Sequence, residues 1–239
     1  MKAYAKTDIG SKRSMNQDYM YCNTEPVGSF QNLLIVADGM GGHRAGDYAS
    51  RLCVETMVQS LEKSAHKTPV SLFEEAVTAA NKAVFEESAS HVEYEGMGTT
   101  VVACTLEENT LYIANIGDSR LYLIRDGIEQ ITDDHSLVEE MVKQGNITES
   151  EARIHPQKNI ITRALGINEE VQADFFEIDV EQGDVSMLCS DGLSNMIEDE
   201  DMEYIVKNSD TLQTAAESLV ARANENGGND NITVVLAEV

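Results

Sequence analysis

Four stretches of this chain are apolar on consecutive residues rather than on alternate ones: LLIVAD (33–38), TTVVACTL (99–106), VSMLCSD (185–191) and ITVVLAEV (232–239). A strand that is apolar on both faces must be covered on both sides. Weaker strand candidates are AYAKTD, QDYMYCN, TLYIANIGD, RLYLIRDG, IEQIT and QADFFEIDV. In LYIANIGDSRLYLIRDGIEQIT they follow one another through short Gly-Asp turns, leaving no room for helical crossovers. The sheets are therefore expected to be mainly antiparallel. Two such sheets packed face to face, each backed by helices, satisfy both demands, so the expected fold is an α+β four-layer sandwich.

The helices come in pairs. Residues 45–63 repeat apolar side chains at helical spacing through Ala49, Leu52, Cys53, Thr56 and Leu61. Residues 70–90 do so through Leu72, Ala76, Val77, Ala80, Val84 and Phe85, with Pro69 just ahead as a start signal. A later pair is expected near 199–207 and 211–225. Between the pairs, DHSLVEEMVKQGNITESEARIHPQKN is polar and helix-prone, with a break at Gly145. It reads as a short helix followed by a mobile excursion over the sheet edge. No repeat or linker divides the chain, and 239 residues suffice for one substantial core, so a single domain over 1–239 is expected.

Charge narrows the partners. The 42 Asp and Glu against 17 Lys and Arg leave a net charge of −25, which repels nucleic-acid phosphates and anionic lipid. Hydrophobic content of 42% argues against disorder at that charge. The opening MKAYAKTDIGSKRS has no apolar leader core, and no apolar run approaches membrane length. Cys22, Cys53, Cys104 and Cys189 are scattered without metal-binding spacing, and reduced buried thiols are expected for Cys104 and Cys189. A cytoplasmic protein without membrane insertion is the expectation.

Three aspartates share one local design. Asp38 (VADG), Asp118 (IGDSR) and Asp191 (CSDG) each end a hydrophobic strand in or beside a glycine turn, and Asp230 in GGNDNITVV precedes the last strand. On antiparallel strands these carboxylates are expected on one sheet edge. For any one Asp-Gly an ordinary turn is the better explanation. Four gathered without matching bases would repel one another, a conflict that divalent cations remove; hard oxygen donors favour Mg²⁺ or Mn²⁺ over zinc. The glycines beside Asp38 do not make a nucleotide loop. GGHRAG (41–46) has the GxxxxG frame, but Asp47 and Tyr48 stand where Lys and Ser or Thr are needed. A bare Gly39 would instead let a main-chain carbonyl approach a cation.

Together these segments resemble the bacterial form of the metal-dependent protein phosphatase 2C family. The matching stretches are TDIGSKRSMNQD (7–18), VADGMGGHRAG (36–46), GMGTTVV (96–102), NIGDSRLY (115–122), TDDHSLV (132–138), HPQKNIITRALG (155–166), CSDGLSNM (189–196) and GGNDNITVV (227–235). The resemblance implies the same sandwich, with a flap over the site at about 145–163. It implies that Asp38 bridges two Mn²⁺ or Mg²⁺ ions, with the Gly39 carbonyl on the second and Asp191 and Asp230 completing the first. Asp118 with Asp191 matches a third, weaker site. Arg13 would grip the substrate phosphate, and Asp18 would act through metal-bound water. A hydroxide bridging the ions would attack phosphorus in line. His43, by its position beyond the glycine turn, is the candidate general acid; other members of the family carry a histidine directly after the Asp-Gly, where this chain has Met40. His135 and His155 are assigned structural or flap roles, and His66 and His91 none. Asp133 and Asp134 are expected to cap the following helix.

The implied activity is hydrolysis of phosphoserine and phosphothreonine in phosphorylated proteins, by a monomer that opposes a bacterial serine/threonine kinase. A catalytically dead phosphoprotein binder is the alternative from another class. The retained Arg13, Asp38, Gly39, Asp191 and Asp230 speak against it. A phosphatase dedicated to one regulatory partner is a third option, but it usually accompanies sensor domains, and none is visible.

Overall fold

In the computed structural model, which describes residues 1–42 and 45–239, the apolar runs become the central strands of two sheets. In chain order the elements are β1 (Lys2–Asp8), β2 (Asp18–Asn23), β3 (Leu33–Met40), α1 (Ala45–Lys63), α2 (Pro69–Ser90), β4 (Gly98–Thr99), β5 (Val101–Glu107) and β6 (Thr110–Ile116). They continue with β7 (Arg120–Ile124), β8 (Ile128–Gln130), α3 (Leu137–Lys143), α4 (Glu149–Ile154), β9 (Asp174–Asp179) and β10 (Val185–Cys189). The last are α5 (Asp191–Ser194), α6 (Asp199–Lys207), α7 (Leu212–Glu225) and β11 (Ile232–Glu238). One sheet has the order β1-β11-β10-β7-β8; the other has β2-β3-β5-β6-β9, with β4 against β3. Every named pairing is antiparallel.

The double-faced apolarity of the strands explains the layers. Leu33, Ile35, Ala37, Val101 and Ala103 pack with Val54, Met57, Phe73 and Val77 of α1 and α2. Their neighbours Leu34, Val36, Val102 and Cys104 point the other way and meet Leu121, Leu188, Val235 and Ala237 of the second sheet. That sheet's outer side chains, among them Met187, Ile232, Val234 and Leu236, pack with Met202, Leu219 and Val220 of α6 and α7. The result is the expected helix–sheet–sheet–helix sandwich.

Four details differ from expectation. Pro69 lies in the first turn of α2 rather than ahead of it, where its fixed φ suits the helix and its missing N–H goes unneeded. The excursion is not all irregular: α4 forms within it, held by a capping box in which Thr148 and Glu151 bond reciprocally. Asp133 and Asp134 do not cap α3. Ser136 does, accepting from the Glu139 N–H at 3.2 Å, while Asp134 pairs with Arg120 and Asp133 with Lys143. Finally, the run at 185–191 ends as strand at Cys189, and Asp191 begins a one-turn helix.

Candidate active site

The aspartates arrive from both sheets. Asp38 lies in β3 and Asp118 just beyond β6 of one sheet; Asp191 follows β10 and Asp230 precedes β11 in the other. They therefore do not share one sheet's rim, as the sequence suggested, but gather at one end of the sandwich. There they line a single cavity of about 410 Å³ with Arg13, Gln17, Gly39, Met40, Asn159 and Ile161. Asp18 joins them from the edge strand, directly opposite Asp38 in the β2–β3 register.

Hydroxyls and amides fix the residues that carry these carboxylates. The Asp38 N–H donates to Thr100 Oγ1 at 2.9 Å, and Thr100 Oγ1 is 2.7 Å from Ser119 Oγ, in the turn that carries Asp118. The Asp38 carbonyl accepts from Thr99 Oγ1 and from the Thr100 N–H, both at 2.9 Å. Those two threonines head the apolar run at 99–106, and their hydroxyls serve Asp38. Asp18 Oδ2 accepts from Ser190 Oγ at 2.7 Å and Thr233 Oγ1 at 2.6 Å. Asn231 ties down the loop carrying Arg13: its amide donates to the carbonyls of Ile9 and Met15, each at 2.9 Å, and its oxygen accepts from the Gln17 N–H at 2.8 Å.

Two glycines owe their bareness to close backbone approach. A Cβ on Gly39 would lie 1.9 Å from the Gly46 carbonyl oxygen, so the start of α1 can press on β3 only while both residues are glycine. A Cβ on Gly192 would lie 1.9 Å from the Asn231 carbonyl, so this glycine lets Asp191 and Asp230 come together. The packing reason at Gly39 stands beside the cation-access reason read from the sequence.

The basin is strongly acidic. Burial first, then the charges of Asp18, Asp191, Asp118 and Asp230, raise the Asp38 carboxyl well above the ordinary range. Burial, then Asp191 and Asp134, do the same to Asp118. Burial pushes Asp18 up to about 7 against the opposing hydroxyl bonds, and burial with Asp230 pushes Asp191 up to about 6. Asp18 Oδ1 and Asp191 Oδ1 are buried without a hydrogen-bond partner. Such oxygens are costly unless something positive meets them. Among the described residues no three His, Cys, Asp or Glu side chains close into a ready-made cage. Water and main-chain oxygens would have to finish a coordination shell, which is the habit of Mg²⁺ and similar hard cations. The residues present thus fit hard divalent ions.

Arg13 reaches this basin from the β1–β2 loop, half-exposed, with one guanidinium nitrogen 2.5 Å from Asp230 Oδ2. The segment expected to form a flap contributes Asn159 and Ile161. His43 lies outside the described residues. His135 sits away from the basin: its Nδ1 accepts from the Gly117 N–H at 3.0 Å, and its Nε2 lies 3.0 Å from Asp174. It braces the turn before Asp118, as a structural residue does. His155 ends α4 on the flap. Sequence reasoning missed Thr99, Thr100, Ser119, Ser190, Thr233 and Asn231 as the groups that hold the site's backbone and carboxylates in place. Their signal was present, since small polar residues inside or beside buried apolar runs need partners.

Hard oxygen donors converging on a polar cavity beside one guanidinium define a cation-assisted, phosphate-handling class of enzyme. Comparison with known proteins sharpens this. Residues 10–237 match the model of the family described as protein phosphatase 2C. The serine/threonine phosphatase stp of Listeria monocytogenes serotype 4b is 40% identical over 248 residues, covering 100% of this chain and 96% of the relative. The crystal structure of serine/threonine phosphatase Stp1 from Staphylococcus aureus superposes with a TM-score of 0.93 at 34% identity, covering 100% of this chain and 94% of that one. The catalytic domain of serine threonine protein phosphatase PstP, solved in complex with two manganese ions, superposes with a TM-score of 0.87 at 35% identity, covering 99% and 97%. The chain belongs to the protein phosphatase 2C family, and is a phosphatase enzyme.

Proposed function

We propose that this chain hydrolyses phosphoserine and phosphothreonine in proteins, using two Mn²⁺ or Mg²⁺ ions and room for a third. The observation that carries it is the acidic basin of Asp38, Asp118, Asp191 and Asp230 beside Arg13, with Asp18 opposite Asp38 and two unpartnered buried carboxylate oxygens. The manganese-bound PstP neighbour and the serine/threonine phosphatase relatives support the same chemistry. Asp38 would hold both ions, with the Gly39 carbonyl on the second, Asp191 and Asp230 on the first, and Asp118 with Asp191 on the third. When bound, such ions lower the pKa of water to make a nucleophile and offset charge on the phosphoryl oxygens.

The chain's own groups supply the rest. Arg13 presents paired N–H donors to a phosphate dianion from a loop that Asn231 holds in place. Asp18 is kept apart from the substrate by its hydroxyl partners, so it orders water rather than phosphate. His43 is assigned the proton donated to the leaving serine or threonine oxygen. Residues 145–163 form a flap that shapes the mouth. In the cell the enzyme works as a cytoplasmic, single-domain monomer against a serine/threonine kinase; no helix of the described residues is long and apolar enough to cross a membrane.

The test is hydrolysis of p-nitrophenyl phosphate and a phosphothreonine peptide with Mn²⁺. Asp38→Asn is expected to stay folded, bind Mn²⁺ more weakly and lose turnover. Near-normal turnover in that variant would overturn the assignment.

A further inference from the structure

A second cavity of about 350 Å³ adjoins the basin, and Asp118 and Asp191 line both. The flap also divides itself between the two. Lys158 lines the second cavity, while Asn159 and Ile161 line the basin. Between flap and basin stands Asn195, the residue just after α5. Its Nδ2 donates to Asp191 Oδ2 at 2.9 Å, and its Oδ1 accepts from Lys158 Nζ at 3.2 Å. One amide thus uses its donor on the basin carboxylate and its acceptor on the flap.

The consequence for Asp191 is directional. With Oδ2 pinned by Asn195, the carboxylate cannot rotate freely, and the oxygen left over is the buried, unpartnered Oδ1. A second strap acts on the same short helix. Arg153 of the flap donates to the Ser194 and Ile197 carbonyls at 3.4 and 3.3 Å and pairs with Glu198 at 3.0 Å. Asp191 begins α5 and Ser194 ends it, so the flap grips the C-terminal end of the single turn whose first residue is the carboxylate.

We infer that Asn195 is a positioning residue for Asp191, and that Lys158 makes the seating of the flap part of that positioning. A flap that lifts withdraws Lys158, frees the Asn195 amide to turn, and loosens the grip of Asp191 on a cation. Cation affinity and flap closure are then two ends of one linkage, and each strengthens the other. This rests on the proposed role of Asp191 as a cation ligand.

The experiment compares the full chain with Asn195→Leu, which keeps side-chain volume but has no polar atoms, with Lys158→Met, and with the double variant. Mn²⁺ affinity is read by calorimetry, and hydrogen exchange is followed over residues 145–163. Asn195→Leu is expected to weaken Mn²⁺ binding by roughly 10- to 100-fold, the range for losing a partner that orients a metal ligand. Its turnover should recover at saturating Mn²⁺, with KM for p-nitrophenyl phosphate unchanged. Lys158→Met is expected to speed exchange in the flap and weaken Mn²⁺ binding by a smaller factor. The double variant should bind Mn²⁺ no worse than Asn195→Leu alone.

Wild-type Mn²⁺ affinity in Asn195→Leu, or effects that multiply in the double variant, would overturn the inference. If Asn195→Leu does not fold, Lys158→Met on the half-exposed flap decides the matter: unchanged Mn²⁺ affinity there refutes the link. A wild-type protein that binds Mn²⁺ yet cleaves no phosphopeptide would sink the proposed function while leaving this comparison intact.

Discussion

Thr100→Val tests whether the interrupted strand at 99–100 exists to hold Asp38. Thr100 is 2% exposed, and Ser119 beside it is fully buried. Valine keeps the volume but removes the oxygen that accepts from the Asp38 N–H and bonds Ser119 Oγ. A neutral hydrogen bond contributes about 1 kcal/mol net, and stranding a buried donor costs about 1–3 kcal/mol. Two bonds are lost and the Asp38 N–H is left bare, so the total is roughly 2–4 kcal/mol. For a chain of this size each kcal/mol moves Tm by about 2–4 °C, giving a drop of roughly 4–16 °C. The same change frees the main chain that aims Asp38, and Mn²⁺ affinity should fall by about 10-fold or more. Thermal unfolding in chelator measures the first effect and calorimetry the second. A variant with unaltered Tm and unaltered Mn²⁺ affinity would show that Asp38 is placed by the sheet alone.

Stability should also report the trapped carboxyls. Asp18, Asp38, Asp118 and Asp191 are all raised above their unfolded values, so the stability they contribute is full below about pH 4 and is lost as pH rises through the folded values. With chelator present, Tm is expected to fall between about pH 5 and about pH 8, and Mn²⁺ should restore most at the alkaline end; a Tm that rises over that range refutes the account. Ser136→Ala removes the cap of α3 and should cost about 1 kcal/mol in urea unfolding, with faster exchange in α3. An unchanged midpoint and unchanged exchange would show that the cap contributes nothing. Gly192→Ala puts a methyl against the Asn231 carbonyl, a main-chain group that cannot swing aside. Loss of soluble protein, or of Mn²⁺ binding in what remains, is expected; a fully active variant would mean the backbones can part freely.

The sequence by itself determined what depends on near neighbours. Consecutive apolar residues in LLIVAD and ITVVLAEV demanded cover on both faces, and short Gly-Asp turns demanded antiparallel neighbours. Helical spacing placed α1 at Ala45–Lys63 and α6 at Asp199–Lys207. The same local reach marked Asp38, Asp118, Asp191 and Asp230 as candidates. It failed at the start of α3, where Asp133 and Asp134 were read as caps: the helix begins at Leu137, so Ser136 caps it, and the acids pair with Lys143 and Arg120 instead.

Tertiary structure alone decided which distant groups meet. Asp18 takes its hydroxyls from Ser190 and Thr233, separated from it by 172 and 215 positions, and nothing in the pattern around NQD foretells either. The drawing of aspartates from two sheets, the glycine contact of β3 with α1, and the bridge from Lys158 through Asn195 to Asp191 are of the same kind. Periodicity records which face of an element is buried, and it follows from the local backbone. Which partner lies across that face depends on how whole layers dock, and that is a property of the packed core as a unit.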